Sequence, residues 1–221
     1  MKHYYPINLD VENKRCVVVG GGAVGERKVM GLLECGAHVV VVTQHATRRL
    51  QELAEKGILD LKLRDYRTAD LGAAFLVIGA TSDEETNQKI SRDAARLRIL
   101  CNIADRPAAC SFVLPSVVRQ GDLVIAISTS NQSPALAKKI RRDLERHFGP
   151  EYAMLLKLMG AIRRRLLAAG QSPEANKDRF ERLLEAGILE MIRQNRTEDV
   201  TAKVSEVFGR TYTWETLVTN G

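Results

Sequence analysis

Through the first hundred residues, short unbroken apolar runs alternate with stretches whose apolar residues recur every three or four positions. Arg15–Gly20 (RCVVVG) is the first run, and it flows into a glycine turn. Val24–Cys35 follows with Val24, Met30, Leu32 and Leu33 at helical spacing, and Gly36 ends it. His38–Thr43 (HVVVVT) lacks polar alternation, which predicts a strand covered on both faces, as in a parallel sheet. Ala46–Lys56 reads as a helix closed by Gly57, and Leu59–Leu63 (LDLKL) alternates as a more exposed strand does. Phe75–Ala80 (FLVIGA) and Arg98–Ile103 (RILCNI) are two further strands. Between them Ser82 caps a helix through Leu97, with Glu85 completing a capping box. Repeated βα units of this length predict an α/β fold, a doubly wound parallel sheet with right-handed crossovers.

The pattern changes after Pro107. Phe112–Leu114 and Leu123–Ser128 read as strands, Val117–Arg119 extends the first, and Gln120-Gly121-Asp122 supplies the turn. Ser133 caps a helix from Pro134 to about His147, with proline at its first position. Beyond Gly149-Pro150, Glu151–Ala169, Glu174–Gln194 and Thr197–Phe208 all read as helix. Leu155, Leu158, Met159, Ile162 and Leu166 form one apolar stripe on the first of these. The chain therefore divides into a nucleotide-type domain (1–113), a small strand–helix module (114–148) and an all-helical C-terminal region (149–221).

Composition narrows the classes. Apolar residues are 45% and charged residues 27% of 221, a globular balance rather than that of a disordered chain. No apolar stretch approaches the roughly 18–20 residues of a membrane span. The N-terminus, Met1-Lys2-His3-Tyr4-Tyr5-Pro6, has no apolar signal core, so a cytoplasmic protein without a membrane partner is expected. Cys16, Cys35, Cys101 and Cys110 lie far apart, without a CxxC pair, and three of them sit in or beside apolar strand or helix patterns, which reads as reduced, buried thiols rather than a disulfide framework or zinc site. His3, His38, His45 and His147 show no ligand spacing, and no metal site is expected. The formal net charge is +6, and residues 114–171 alone carry that excess, the flanking segments cancelling. Lys138-Lys139, Arg141-Arg142 and Arg163-Arg164-Arg165 stand there. The ordinary reading is a solvated helix face; the alternative is a patch that draws an anionic partner. Aromatics are only 5% and no stacking ladder is interleaved with the bases, so a polyanionic small molecule is expected rather than nucleic acid.

Gly20-Gly21-Gly22-Ala23-Val24-Gly25 satisfies G-x-G-x-x-G directly after a buried strand and at the start of a helix. In that context Gly20 permits a tight turn, Gly22 lets backbone amides approach a pyrophosphate, and Gly25 lets helix and strand pack closely. The helix N-terminus then faces the phosphate charge. A glycine turn that merely packs strand on helix is the alternative. The carboxylate expected for an adenosine ribose is missing, because the second strand ends Val42-Thr43-Gln44-His45. Thr43, Gln44 and His45 can bond a ribose hydroxyl, whereas Arg48 and Arg49 favour a 2′-phosphate, which leaves NAD and NADP both open. Asp105 closes Asn102-Ile103-Ala104-Asp105 at the carboxyl end of the fifth strand, where ligands of open α/β sheets lie. A carboxylate there can take a proton while hydride leaves for a cofactor; the alternative is a loop aspartate capping neighbouring amides. Thr81 of Thr81-Ser82-Asp83 faces the same side on this topology. Ser128-Thr129-Ser130-Asn131-Gln132-Ser133-Pro134 is a hydroxyl-rich turn opening a basic helix, fit either to hold carboxylates or to serve as an N-cap.

Taken in order, the motifs resemble the precorrin-2 dehydrogenase/sirohydrochlorin ferrochelatase family of sirohaem biosynthesis. The resemblance rests on Tyr5-Pro6-Ile7, Val19 through Lys28, Gly79-Ala80-Thr81-Ser82-Asp83 with Asn87, and Cys101 through Asp105. It continues in Ala109 through Ser116 and in Ser128-Thr129-Ser130 followed by Ser133-Pro134-Ala135, spanning about residues 1–148. It implies a Rossmann-type fold and NAD as cofactor, with contacts at Ala23, Val24, Gln44 and His45. It implies oxidation of precorrin-2 to sirohydrochlorin, and in many members insertion of Fe²⁺ to give sirohaem, with the aspartate at the position of Asp105 serving both steps. A tetrapyrrole with eight carboxylates suits the basic segment, and Asn102, Ser128, Thr129, Ser130 and Lys138 are the candidates to hold it. Some relatives carry a serine phosphosite in the hydroxyl-rich turn, where this chain has Thr129. Relatives form homodimers through the strand–helix module and helical tail, and the chain is expected to lack the methyltransferase domain of fused members. Within the family the rival is a dehydrogenase without chelatase activity; outside it, a non-catalytic dinucleotide sensor.

Overall fold

Five strands pair into one parallel sheet in the computed structural model, which describes residues 4–209 and 212–218. They are β1 (Arg15–Gly21), β2 (His38–Ala46), β3 (Asp60–Leu63), β4 (Leu76–Gly79) and β5 (Leu100–Ile103), in the order β3-β2-β1-β4-β5. Alternate residues of the central strands enter opposite cores. Val17, Val19, Val40 and Val42 pack with Cys101 and Ile103 and with Ile90 and Ala94 of α3 (Glu84–Leu97). Cys16, Val18, Val39 and Val41 pack with Val29 of α1 (Ala23–Glu34) and Leu50 of α2 (Arg48–Glu55). Burial on both faces is why these strands show no polar alternation. The strand order reverses between β1 and β4, which opens a crevice outside their carboxyl ends.

Two predicted boundaries in this sheet move for local reasons. Ala46 belongs to β2, where it pairs with Gly21, and the helix starts only at Arg48 because Thr47 caps it through Leu50 N. The cap of α3 is Asp83 rather than Ser82: its carboxylate accepts from Thr86 N at 3.0 Å, so no Ser82–Glu85 capping box forms. The Thr86 side chain first, and then that amide, hold the Asp83 carboxyl below the usual carboxylate range. The segment between β3 and β4 is fastened by one buried side chain, Asp70, only 2% exposed. Its carboxylate takes both Arg64 Nη groups at 2.6 and 2.8 Å, Lys62 Nζ at 3.3 Å and the amide of Arg67 at 2.9 Å.

Residues 1–114 and 115–221 form two compact units. In the second, β6 (Ser116–Gln120) and β7 (Leu123–Ile127) make an antiparallel hairpin, turned at Gly121 with φ +57°. The strand expected at Phe112–Leu114 is absent. Ser111 N donates to Cys101 O and Asn102 Nδ2 to Phe112 O, so this stretch is tied sideways to β5, and Pro115 brings no N–H to a ladder. α4 (Pro134–His147) follows under a Ser133 cap. Beyond it come α5 (Glu151–Ala168), α6 (Pro173–Glu185), α7 (Ile188–Arg193), α8 (Thr197–Phe208) and α9 (Trp214–Val218). The helix expected over Glu174–Gln194 is broken at Gly187, whose left-handed φ of +77° separates α6 from α7. Leu155, Leu158, Ile162 and Leu166 form the predicted stripe and enter a core with Leu183, Ile188, Val200, Val204 and Phe208, and Met159 packs partly buried against it.

Cys16, Cys101 and Cys110 are buried, Cys35 is exposed, and none is in a disulfide. Burial pushes the Cys16 thiol up to about 11 and that of Cys101 up to about 12. No helix among the described residues is long and apolar enough to cross a membrane.

Candidate active site

The glycine turn is built by contacts that exclude side chains. Gly20 has φ +113°, and a Cβ there would strike the carbonyl of Ala80 after β4. A Cβ on Gly25 would strike the carbonyl of Gly20, so the first turn of α1 lies directly on the strand end. Gly22 differs: nothing lies within 4 Å of a Cβ placed there. The space above Gly22 is therefore open, and no side chain caps the N-terminus of α1. Its first intrahelical bond is Glu26 N to Gly22 O at 2.9 Å, which leaves the amides of Ala23, Val24 and Gly25 as unused helix donors. A pyrophosphate fits such a cradle by charge and by shape.

Thr43 is withdrawn from the ribose role considered for it. Its hydroxyl accepts from Gly21 N at 3.0 Å and donates to His45 O at 2.8 Å, bracing the glycine turn from β2. Gln44 and His45 are exposed at the same carboxyl edge. After β4, the Thr81 hydroxyl faces Asp83 O (2.9 Å) and Asn87 Oδ1 (3.1 Å), and Asn87 Nδ2 donates to Thr81 O.

Asp105 follows β5 at that edge. Ala104 N continues the ladder to Gly79 O at 2.8 Å, and Asp105 itself is exposed in the left-handed region, φ +59°. The return behind it is pinned by Cys110, whose sulfur takes the amide of Ile103 at 3.1 Å and donates to Arg106 O at 3.1 Å. Arg106 pairs with Glu84 at 2.7 Å. Asn102 is buried, and its amide group holds Phe112 O at 3.0 Å. Lys28, half-buried on α1, has its ammonium pKa lowered by burial first and by Arg27 next, while the charge of Asp105 acts in the opposite sense. The carboxylate thus lies within electrostatic reach of the helix that opens at the glycine turn.

The sheet edge gathers Gly20, Gly22, Ala23, Val24, Gly25, Gln44, His45, Thr81, Asn102 and Asp105. Ser128, Thr129, Ser130 and Lys138 belong to the second unit, around the start of α4. There Thr129 Oγ1 accepts from Ser133 N, Ser128 Oγ accepts from Ser130 N, and Ser130 and Asn131 are left-handed. Much of the basic charge is internally engaged. Lys139 and Arg146 pair with Asp143, and Arg141 with Glu145. Arg165 donates to Thr216 O and lies over the Tyr212 ring. Lys138 and Arg142, one turn apart and exposed, enter none of the ion pairs found among the described residues. Among those residues no group of His, Cys, Asp or Glu is arranged to hold a metal; His3 lies outside them.

Two family models match in chain order: an NAD(P)-binding model over residues 7–116 and the central domain of sirohaem biosynthesis proteins over residues 120–147. Together they cover more than half of the chain. The sirohaem synthase of Nitrosospira multiformis is 37% identical over 194 residues, covering 86% of this chain and 41% of that protein. That of Methylococcus capsulatus is 33% identical over 196 residues, covering 89% of this chain and 41% of that protein. The solved structure of SirC, a precorrin-2 dehydrogenase, superposes with a TM-score of 0.69 at 25% identity, covering 93% of this chain and 98% of that one. The chain belongs to the sirohaem synthase/precorrin-2 dehydrogenase family. It spans about two fifths of the length of these sirohaem synthases.

Within the family, one residue of the edge went unmarked in the sequence, and Lys28 was marked only as the last residue of the glycine-turn motif, with no role given to it. Asp65 touches Gln44 across two strands, a pairing that no linear motif carries.

Proposed function

We propose that this chain oxidises precorrin-2 to sirohydrochlorin with NAD⁺, and that Asp105 receives the proton. The observation that supports this most is the placement of an exposed, left-handed carboxylate on the same sheet edge as the open glycine cradle. Bound NAD⁺ supplies the hydride acceptor. The amides opening α1 hold the pyrophosphate, Gln44 and His45 meet the adenosine end, and Thr81 borders the crevice between β1 and β4. Asp105 takes the proton released as hydride leaves the macrocycle. Iron insertion to give sirohaem needs two pyrrole N–H protons removed, a task for the same carboxylate, with Fe²⁺ as substrate. Anaerobic incubation with precorrin-2 and NAD⁺, with and without Fe²⁺, tests this by absorbance. The expected result is sirohydrochlorin with NAD⁺ alone and sirohaem, faster than in a protein-free control, when iron is added. No oxidation would overturn the proposal, and oxidation without accelerated metallation would confine it to the dehydrogenase.

The hydroxyl-rich turn and the unpaired cations of α4 are proposed to hold substrate carboxylates. Lys138→Ala is expected to raise the KM for precorrin-2 about fivefold, in keeping with roughly 1 kcal/mol for one solvent-exposed charge contact. The affinity for NAD⁺ should not change, and the KM effect should shrink in high salt. Steady-state kinetics at two ionic strengths checks it. A homodimer is proposed through the β6–β7 face, where Val117, Val124 and Ala126 lie exposed beside one another on a two-stranded sheet, which in isolation is marginal. Sedimentation of the purified protein reads this directly.

A further inference from the structure

An amide at the end of β2 carries no charge with which to tell a ribose 2′-hydroxyl from a 2′-phosphate, yet Gln44 stands there in place of the customary acid. The fold brings a carboxylate to it from the next strand. β2 and β3 run parallel and their pairing ends with Thr43 opposite Leu63, so residues 44 and 65 both lie just past its last rung, at the same edge. Asp65, exposed in the loop after β3, accepts a hydrogen bond from Gln44 Nε2 at 2.6 Å.

We propose that Asp65 sets the dinucleotide preference of this chain: its charge, held against Gln44, replaces the missing strand-end carboxylate and favours the 2′-hydroxyl of NAD⁺ over the 2′-phosphate of NADP⁺. The inference rests on the dinucleotide-binding reading given above. With Nε2 committed to Asp65, the Gln44 carbonyl oxygen is turned free to accept from a ribose hydroxyl. A 2′-phosphate at the same place would meet both that oxygen and the Asp65 carboxylate, and like charges at close range repel.

The cations that argue the other way are largely engaged. Arg48 pairs with Glu52 at 2.8 Å. Arg64 directs both terminal nitrogens to Asp70 and touches Asp65 only at its main-chain carbonyl, at 2.8 Å. That contact fixes the backbone of Asp65 while leaving its side chain to Gln44. Arg49 remains exposed, and the preference is therefore set by one carboxylate against one cation.

Calorimetric titration of the full chain with NAD⁺ and with NADP⁺ tests this without recourse to turnover. Asp65→Asn keeps an acceptor for Gln44 Nε2 and removes only the charge. The ratio of the NADP⁺ to the NAD⁺ dissociation constant is expected to fall about tenfold, mainly through tighter NADP⁺, and adding Gln44→Glu in that background should restore it. A tenfold change corresponds to about 1.4 kcal/mol. Loss of local structure would weaken both dinucleotides together and leave the ratio where it was. An unchanged ratio in Asp65→Asn, with NAD⁺ still bound by the parent chain, overturns the assignment of Asp65 alone. A parent chain that binds neither dinucleotide overturns the cofactor reading beneath it.

Discussion

Asp105→Asn is expected to lower the turnover of precorrin-2 by about 10²–10⁴-fold, the usual contribution of a positioned acid or base, while the dissociation constant for NAD⁺ stays within about twofold. Asparagine is the informative replacement because of the backbone. Asp105 sits at φ +59°, a conformation that Asn tolerates and that costs Ala of the order of 1 kcal/mol. Asp105→Asn therefore removes the proton acceptor and spares the turn, whereas Asp105→Ala removes both. If proton acceptance is the role, the two variants lose turnover alike, and KM for the tetrapyrrole moves little. If the residue only shapes the loop between Ala104 and Cys110, Asn retains activity and Ala alone is impaired. Stopped-flow absorbance under anaerobic conditions, with the nicotinamide signal read separately from the macrocycle, distinguishes these outcomes. The charge of Asp105 also acts on Lys28, so its removal lets burial and Arg27 depress the Lys28 ammonium further.

The parallel sheet was legible because burial on both faces leaves a one-dimensional trace: runs such as Val39–Val42 have no polar position at all. The glycine turn was legible for a similar reason, since Gly20 and Gly25 answer to backbone atoms a few residues away in sequence or directly across β4. What escaped depended on contacts between segments. Phe112–Leu114 has the composition of a strand, but Asn102 and Cys101 capture its neighbourhood for β5. Ser82 and Asp83 both satisfy the rule for an N-cap, and only the geometry shows which oxygen reaches Thr86 N. Thr43 looked like a ribose ligand until Gly21 claimed its oxygen. Asp65 lies 21 positions from Gln44, and the parallel register of β2 and β3 is what unites them. A site on a sheet edge is assembled from strand ends, and its pairs are written in register rather than in spacing.

Asp70→Ala is expected to destabilise the first unit by about 3 kcal/mol, the scale of hydrogen bonds made to a charged group together with a backbone amide left unpaired. The carboxylate is buried, yet Arg64 and Lys62 keep contact with water, so the loss falls short of that for a fully enclosed pair. Its pH dependence has a definite sign. The Arg64 guanidinium, the Arg67 amide and Lys62 hold the Asp70 carboxyl well below the usual carboxylate range. An unfolded aspartate titrates near 3.9, so the native state binds fewer protons here than the unfolded one. The stabilisation is present in full above that value and is lost as pH falls from it toward the native pKa. Urea midpoints of parent and variant, followed by circular dichroism, should differ at pH 7 and converge below about pH 4. The fluorescence of Trp214, the single tryptophan, reports the helical unit separately. A gap unchanged between pH 7 and pH 3.5 would show that Asp70 does not act through its charge. The same substitution reaches the proposed selector: freed of Asp70, Arg64 no longer has a fixed seat from which to hold the Asp65 carbonyl. The discrimination between NAD⁺ and NADP⁺ should then weaken in a chain that still folds at pH 7, with the charge of Asp65 intact and only its position relaxed.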